Sequence, residues 1–240
     1  MQRSNNLFYM IISVYAQLCH DSKINGIITI TIVANSMTLF VKDDNKFFHV
    51  HIPRTGGRYI KEVLKQNEYQ IYHDDWEQSF YGISIMHLHY PLYEMLDDVS
   101  NSNQFTIVRN PFTRFASSAH CMIKEWYSDV EEEIYTALES KSGLEHFIEY
   151  HAITKRYNAN WMRPQKEFIS EKTFVYKYED KLGKNFIDWF NKQFNANLEH
   201  KEYSYYGDPN ELLKNKIKEN KKIESLIKDY YREDYEFFDY

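Results

Sequence analysis

The residues best suited to chemistry in this chain are arginines, and they fall in two groups. The first is the run His51-Ile52-Pro53-Arg54-Thr55-Gly56-Gly57-Arg58, where an apolar strand pattern ends in a proline, a cation and two glycines before a helical pattern begins. That order builds a cradle for an anion. Glycines let the backbone turn tightly, successive N–H groups converge, and the helix N-terminus adds the positive end of its dipole. The spacing is not that of a Walker A loop, G-x-x-x-x-G-K-[ST]. The second group is Arg109-Asn110-Pro111-Phe112-Thr113-Arg114-Phe115-Ala116-Ser117. Asn110 is placed to cap a helix, and Pro111 stands at its first position, where a missing N–H costs nothing. Arg109 then lies at the carboxyl end of a strand, where open α/β sheets put ligand-binding groups. Ser117 follows two helical turns later, within reach of the same phosphate as Arg109.

Histidines offer a different chemistry. His49 and His51 form one H-x-H pair and His87 and His89 another, and strand alternation would put both members of a pair on one face. Two such pairs supply nitrogen ligands to zinc in metal-dependent hydrolases. No carboxylate motif accompanies them, and a zinc reading leaves residues 109–117 unused.

These groups need elements to hold them. The pattern predicts a buried strand over 47–52, a helix over 58–67 with Ile60, Val63 and Leu64 facing inward, and a short strand over 70–72. Residues 74–82 read as a polar, aromatic loop. A strand over 104–108 runs into a long helix over 112–126. Helices over 143–157 and 181–194 flank a strand over 173–176, and Asp208-Pro209 opens a last helical stretch with a broken apolar stripe through Leu213, Ile217, Ile223 and Ile227. Strands alternating with helices predict a mainly parallel sheet covered on both faces.

With 240 residues the chain suits one α/β domain. A net charge of −6 gives no global basic field, so a nucleic-acid partner is not expected and an anionic ligand must be met by local arginines. Two cysteines, Cys19 and Cys121, make neither a disulfide framework nor a zinc site. Residues 1–45 read as an extension ahead of the domain at 46–240. The apolar run at 7–19 is shorter than the ~20 residues of a membrane span and resembles a signal peptide, 27–33 alternates as a strand does, and Met37 is an alternative start.

The two arginine segments resemble the paired nucleotide motifs of the sulfotransferases that use 3′-phosphoadenosine 5′-phosphosulfate (PAPS). In that family H-x-P-K-T-G-G/A-[TS] holds the 5′-phosphosulfate, and R-[DN]-P-[FWY]-x-R-[FL]-x-S holds the 3′-phosphate. Further segments come in family order: His89-Tyr90-Pro91-Leu92-Tyr93-Glu94, Arg163-Pro164-Gln165, Tyr176-Lys177-Tyr178-Glu179-Asp180 and the tail from Tyr230 to Tyr240. The resemblance implies a three-layer α/β/α, P-loop-like fold and transfer of a sulfuryl group to an acceptor hydroxyl, on a carbohydrate by the look of the loop. It implies cofactor contacts from Arg54, Thr55, Gly56, Gly57, Arg58, Arg109 and Ser117, and no metal. His89 becomes the general base, its neighbour His87 remaining an alternative. Glu179 and Asp180 either order the site or simply cap a helix. A donor made in the cytosol favours a cytoplasmic location, with the run at 7–19 leaving a signal or anchor open. Arg54 stands where the family has Lys, and Arg58 where it has Ser or Thr. Those departures leave room for a non-catalytic nucleotide- or glycan-binding module.

Overall fold

The computed structural model describes residues 38–72, 79–80, 83–95, 99, 101–149, 160–202 and 211–240. All of them lie in one compact unit, Ala34–Tyr240. The apolar run at 7–19, the alternating run at 27–33, most of the 74–82 loop, the end of the helix expected over 143–157 and Asp208-Pro209 fall outside the described residues.

Strands β1 (Leu39–Lys42) and β2 (Asn45–His49) form a hairpin with Leu39 opposite Phe48 and Lys42 opposite Asn45. Asp43 turns it at φ 52°, a left-handed conformation that Asp tolerates better than most residues. The hairpin spans the expected boundary at 46, so the sheet already includes residues assigned to the extension. Helix α1 (Gly57–Gln66) returns the chain to β3 (Gln70–Tyr72), and β4 (Ser79–Phe80) pairs with β5 (Ile83–Ser84) as a separate ladder. Strand β6 (Asn103–Val108) leads into α2 (Pro111–Trp126), followed by α3 (Glu131–Leu138) and α4 (Lys141–Glu149). Strand β7 (Phe174–Lys177) and helices α5 (Lys184–Phe194), α6 (Leu212–Glu219), α7 (Lys221–Tyr230) and α8 (Arg232–Phe238) complete the described chain.

The main sheet runs β3-β1-β2-β6-β7. Strands β2, β6 and β7 are parallel, and β1 is antiparallel to both its neighbours. Alternation along the strands sorts the core. Phe47, Phe105, Ile107 and Tyr176 join Ile60, Val63 and Leu64 of α1 and Phe186, Ile187 and Phe190 of α5 in one cluster. Phe48, Val50 and Val108 point the other way, against Leu88, Tyr93, Phe168 and Phe238. Each fully buried Phe contributes about 1.5–3 kcal/mol. A third cluster joins α2, α3, α4, α6 and α7, with Tyr135 in the core.

The last helical stretch divides at Asn220, whose side chain caps α7 by accepting from the N–H groups of Lys222 and Ile223 at 3.0 and 3.2 Å. Helix α3 had no expectation behind it. Its Glu131-Glu132-Glu133 start obscures the apolar spacing while suiting a helix N-terminus. Among the described residues no helix is long and apolar enough to cross a membrane.

Candidate active site

The loop from β2 to α1 is held from within. Thr55 is fully buried, and its hydroxyl donates to the Ile52 carbonyl at 2.7 Å, so this side chain shapes the turn instead of facing a ligand. Gly56 takes φ 109° as the N-cap of α1 and provides no side-chain acceptor. The first N–H groups of the helix thus keep their capacity for an anion. Arg54 adopts φ 68°, a left-handed conformation unusual for a residue with a β-carbon.

The segment after β6 folds as its sequence predicts. Asn110 Oδ1 accepts from the N–H groups of Phe112 and Thr113 at 3.1 and 3.2 Å, and Pro111 opens α2. Arg109 donates from Nε to Thr113 Oγ1 at 3.0 Å and from Nη1 to the Arg54 carbonyl at 3.3 Å, with its guanidinium 4.6 Å above the Tyr178 ring. Burial lowers its pKa, yet a guanidinium stays charged at any physiological pH. Arg54 in turn donates from Nε to Ser117 Oγ at 3.1 Å. Two segments more than fifty residues apart are therefore locked together by their own charged groups.

Arg114 is a strut. It is 2% exposed and donates to the carbonyls of Pro53 at 3.2 Å and Trp161 at 3.0 Å, which ties the loop to residues beyond α4.

Above these groups lies a cavity of about 780 Å³, bordered by Arg54, Gly56, Gly57, Arg58, Arg109 and Ser117. Its size falls within the range of small-molecule ligand sites. Tyr178, Leu182 and Trp161 add apolar wall, and the lining also includes Lys201 and Lys214, the latter paired with Glu211 at 2.6 Å. A model of the sulfotransferase family matches residues 37–240, which include every residue of this site. The chain belongs to the sulfotransferase family. No curated protein and no solved structure matches it.

The four histidines of the two H-x-H pairs in this sulfotransferase-family chain separate into two environments. His51 stacks on His49 at 5.3 Å between ring centroids and approaches His87 at 4.9 Å. Burial drives both His49 and His87 well below the ordinary imidazole value. His49 Nε2 and His87 Nδ1 have no hydrogen-bond partner among the described residues. His51 and His87 border the cavity, and His89 is not among its described lining residues. Instead His89 Nδ1 lies 3.2 Å from Asn160 Nδ2, and burial together with Arg163 lowers its pKa to about 4. Residues 87–89 do not form a strand, because Ile85–His87 is a 3-10 turn, so the two side chains are not held to one face. Among the described residues no group of three or more His, Cys, Asp or Glu is arranged to hold a metal ion.

Sequence reasoning left Gln165 and Asp234 without a role and gave Glu179 two alternatives. Gln165 is completely buried and bonds both backbone groups of Arg109, and Asp234, also completely buried, accepts the Gln165 N–H at 2.7 Å. Glu179 accepts from the Asn110 N–H at 2.9 Å and from the Tyr240 hydroxyl at 2.7 Å, so it orders the site. Their order along the chain had been noted, but not where they meet. Trp161, with the Arg54 guanidinium 5.9 Å from its ring centroid, carries no motif that could have announced it.

Proposed function

We propose that this chain transfers a sulfuryl group from PAPS to a hydroxyl of a carbohydrate acceptor. The observation that carries the reading is the Arg54 Nε to Ser117 Oγ bond of 3.1 Å, which brings the two expected phosphate-binding segments to one cavity. The cradle also suits a phosphosulfate in detail. Gly57 is bare where a β-carbon would collide with His51, and α1 opens with uncapped N–H groups. The fold reading that goes with this is a three-layer α/β/α, P-loop-like sulfotransferase domain. Its support is the parallel β2-β6-β7 set with apolar clusters on both faces.

The donor supplies an activated sulfur, and the protein supplies alignment and charge. Amides of Thr55, Gly56 and Gly57 receive the 5′-phosphosulfate, with charge added by Arg58, and Arg109 with Ser117 receives the 3′-phosphate. As the acceptor oxygen bonds to sulfur, the bond from sulfur to the bridging oxygen breaks, and its electron pair stays on the 5′-phosphate. Arg54 stabilises that charge through a planar fork but has no proton to spare, so the phosphate leaves as an anion. The acceptor's proton goes to an imidazole of the His87-Leu88-His89 segment. Motif register favours His89, and position on the cavity wall favours His87.

Calorimetric titration with adenosine 3′,5′-bisphosphate, with 5′-AMP as comparison, tests the donor site. Preference for the bisphosphate is the expected result, to be followed by sulfuryl transfer from PAPS to glycan hydroxyls. Binding indifferent to the 3′-phosphate would overturn the reading.

A further inference from the structure

Arg109 stands one residue beyond the last ladder pair of β6, Val108 with Lys177, so the sheet gives its backbone no partner in register. Gln165 provides one. Its Oε1 accepts from the Arg109 N–H at 2.9 Å, and its Nε2 donates to the Arg109 carbonyl at 2.7 Å. One amide thus fixes the peptide planes on both sides of the α-carbon that carries the guanidinium. Gln165 is itself fixed from the tail. Asp234 Oδ2 accepts from the Gln165 N–H at 2.7 Å and Oδ1 from the Lys166 N–H at 3.0 Å. A second path ends one residue further along. The Tyr240 hydroxyl donates to Glu179 Oε2 at 2.7 Å, and Glu179 Oε1 accepts from the Asn110 N–H at 2.9 Å.

We propose that the C-terminal tail is the positioning element for 3′-phosphate recognition, Asp234 acting through Gln165 on Arg109 and Tyr240 acting through Glu179 on Asn110. The inference rests on the donor-site reading above. A tail that merely stabilised the fold would, when loosened, weaken every nucleotide alike. A tail that aims Arg109 acts on the 3′-phosphate and leaves the rest of the nucleotide alone, because hydrogen bonds to charged groups depend steeply on geometry.

The test compares the full chain with Gln165→Met, Gln165→Glu and Tyr240→Phe, titrated with adenosine 3′,5′-bisphosphate and with 5′-AMP. Gln165→Met, which removes both bonds to Arg109, should lose about tenfold in bisphosphate affinity and under about twofold for 5′-AMP. Gln165→Glu keeps an acceptor for the Arg109 N–H and should fall between it and the parent chain. Tyr240 is partly exposed, so Tyr240→Phe tests the second path even if Gln165→Met fails to fold. It should lose about threefold with the same ligand preference. Equal losses for both nucleotides, or an unchanged preference in folded variants, would overturn the inference while the donor site stands. No preference in the parent chain would overturn both.

Discussion

His51 Nε2 lies 2.1 Å from the point where a β-carbon on residue 57 would stand. Gly57 is therefore fixed by close approach and not by a special backbone angle. The imidazole that occupies its space is itself packed between His49 and His87, so it has little room to retreat.

Gly57→Ala should accordingly cost about 1–3 kcal/mol of stability, as overpacked interiors do. It should also weaken bisphosphate binding, since the displaced ring borders the same cavity. Thermal melting and calorimetry read the two effects. A variant with parent-like melting and affinity would show that the ring moves aside freely.

Arg109→Ala removes a partly buried cation together with its bonds to Thr113 and the Arg54 carbonyl. Bisphosphate affinity should fall by at least about a hundredfold, on the order of two charge-assisted hydrogen bonds. Arg109→Lys should restore little, because an ammonium cannot reproduce the fork or its seat above Tyr178. Normal affinity in the Ala variant would remove Arg109 from the donor site.

Neither His87→Ala nor His89→Ala should disturb nucleotide affinity by more than a few-fold, whereas loss of the general base should lower turnover by about 10²–10⁴. Steady-state rates for the pair decide which imidazole takes the proton. Near-normal rates in both would refute a histidine base in this segment.

Acid should destabilise the protein. His49, His87 and His89 are all held below their ordinary value by burial, His89 at about 4. Between that value and about 6.5 the unfolded chain binds protons that the folded chain refuses, so stability rises with pH through this window and is lost as pH falls. Asp234, raised by burial, opposes the trend with one group against three. The melting temperature should be lower at about pH 5 than at about pH 7.5, and His89→Asn should shrink the difference. A flat or reversed profile would contradict the assignment of buried neutral imidazoles.

What the sequence revealed depended on the range of the interaction. The Asn110 cap, the Pro111 start of α2 and the Gly56 turn are decided within a few residues, and each lies where local chemistry puts it. The two phosphate-type segments were legible for the same reason, as each is a short strand–turn–helix unit. Gln165, Asp234 and Glu179 were visible as residues but not as partners, because a hydrogen bond across 56 or 69 positions leaves no periodic mark. The pairing of His87 with His89 misled for a related reason. An H-x-H spacing shares a face in a strand, and here His87 closes a 3-10 turn instead. The division of the last helix at Asn220 was masked by Lys and Glu residues that favour helix on either side.

Arg54 holds φ 68° with a full side chain, a conformation that costs an L-residue about 1–2 kcal/mol and glycine almost nothing. Arg54→Gly should relieve that strain but also cut the bond to Ser117 and the contact with Trp161, so the net change in stability should be smaller than the strain alone. A screen by survival on heating would therefore be nearly blind to this position, and any loss at the proposed donor site would pass unseen. Any effort to harden this scaffold must leave residue 54 out of the mutable set.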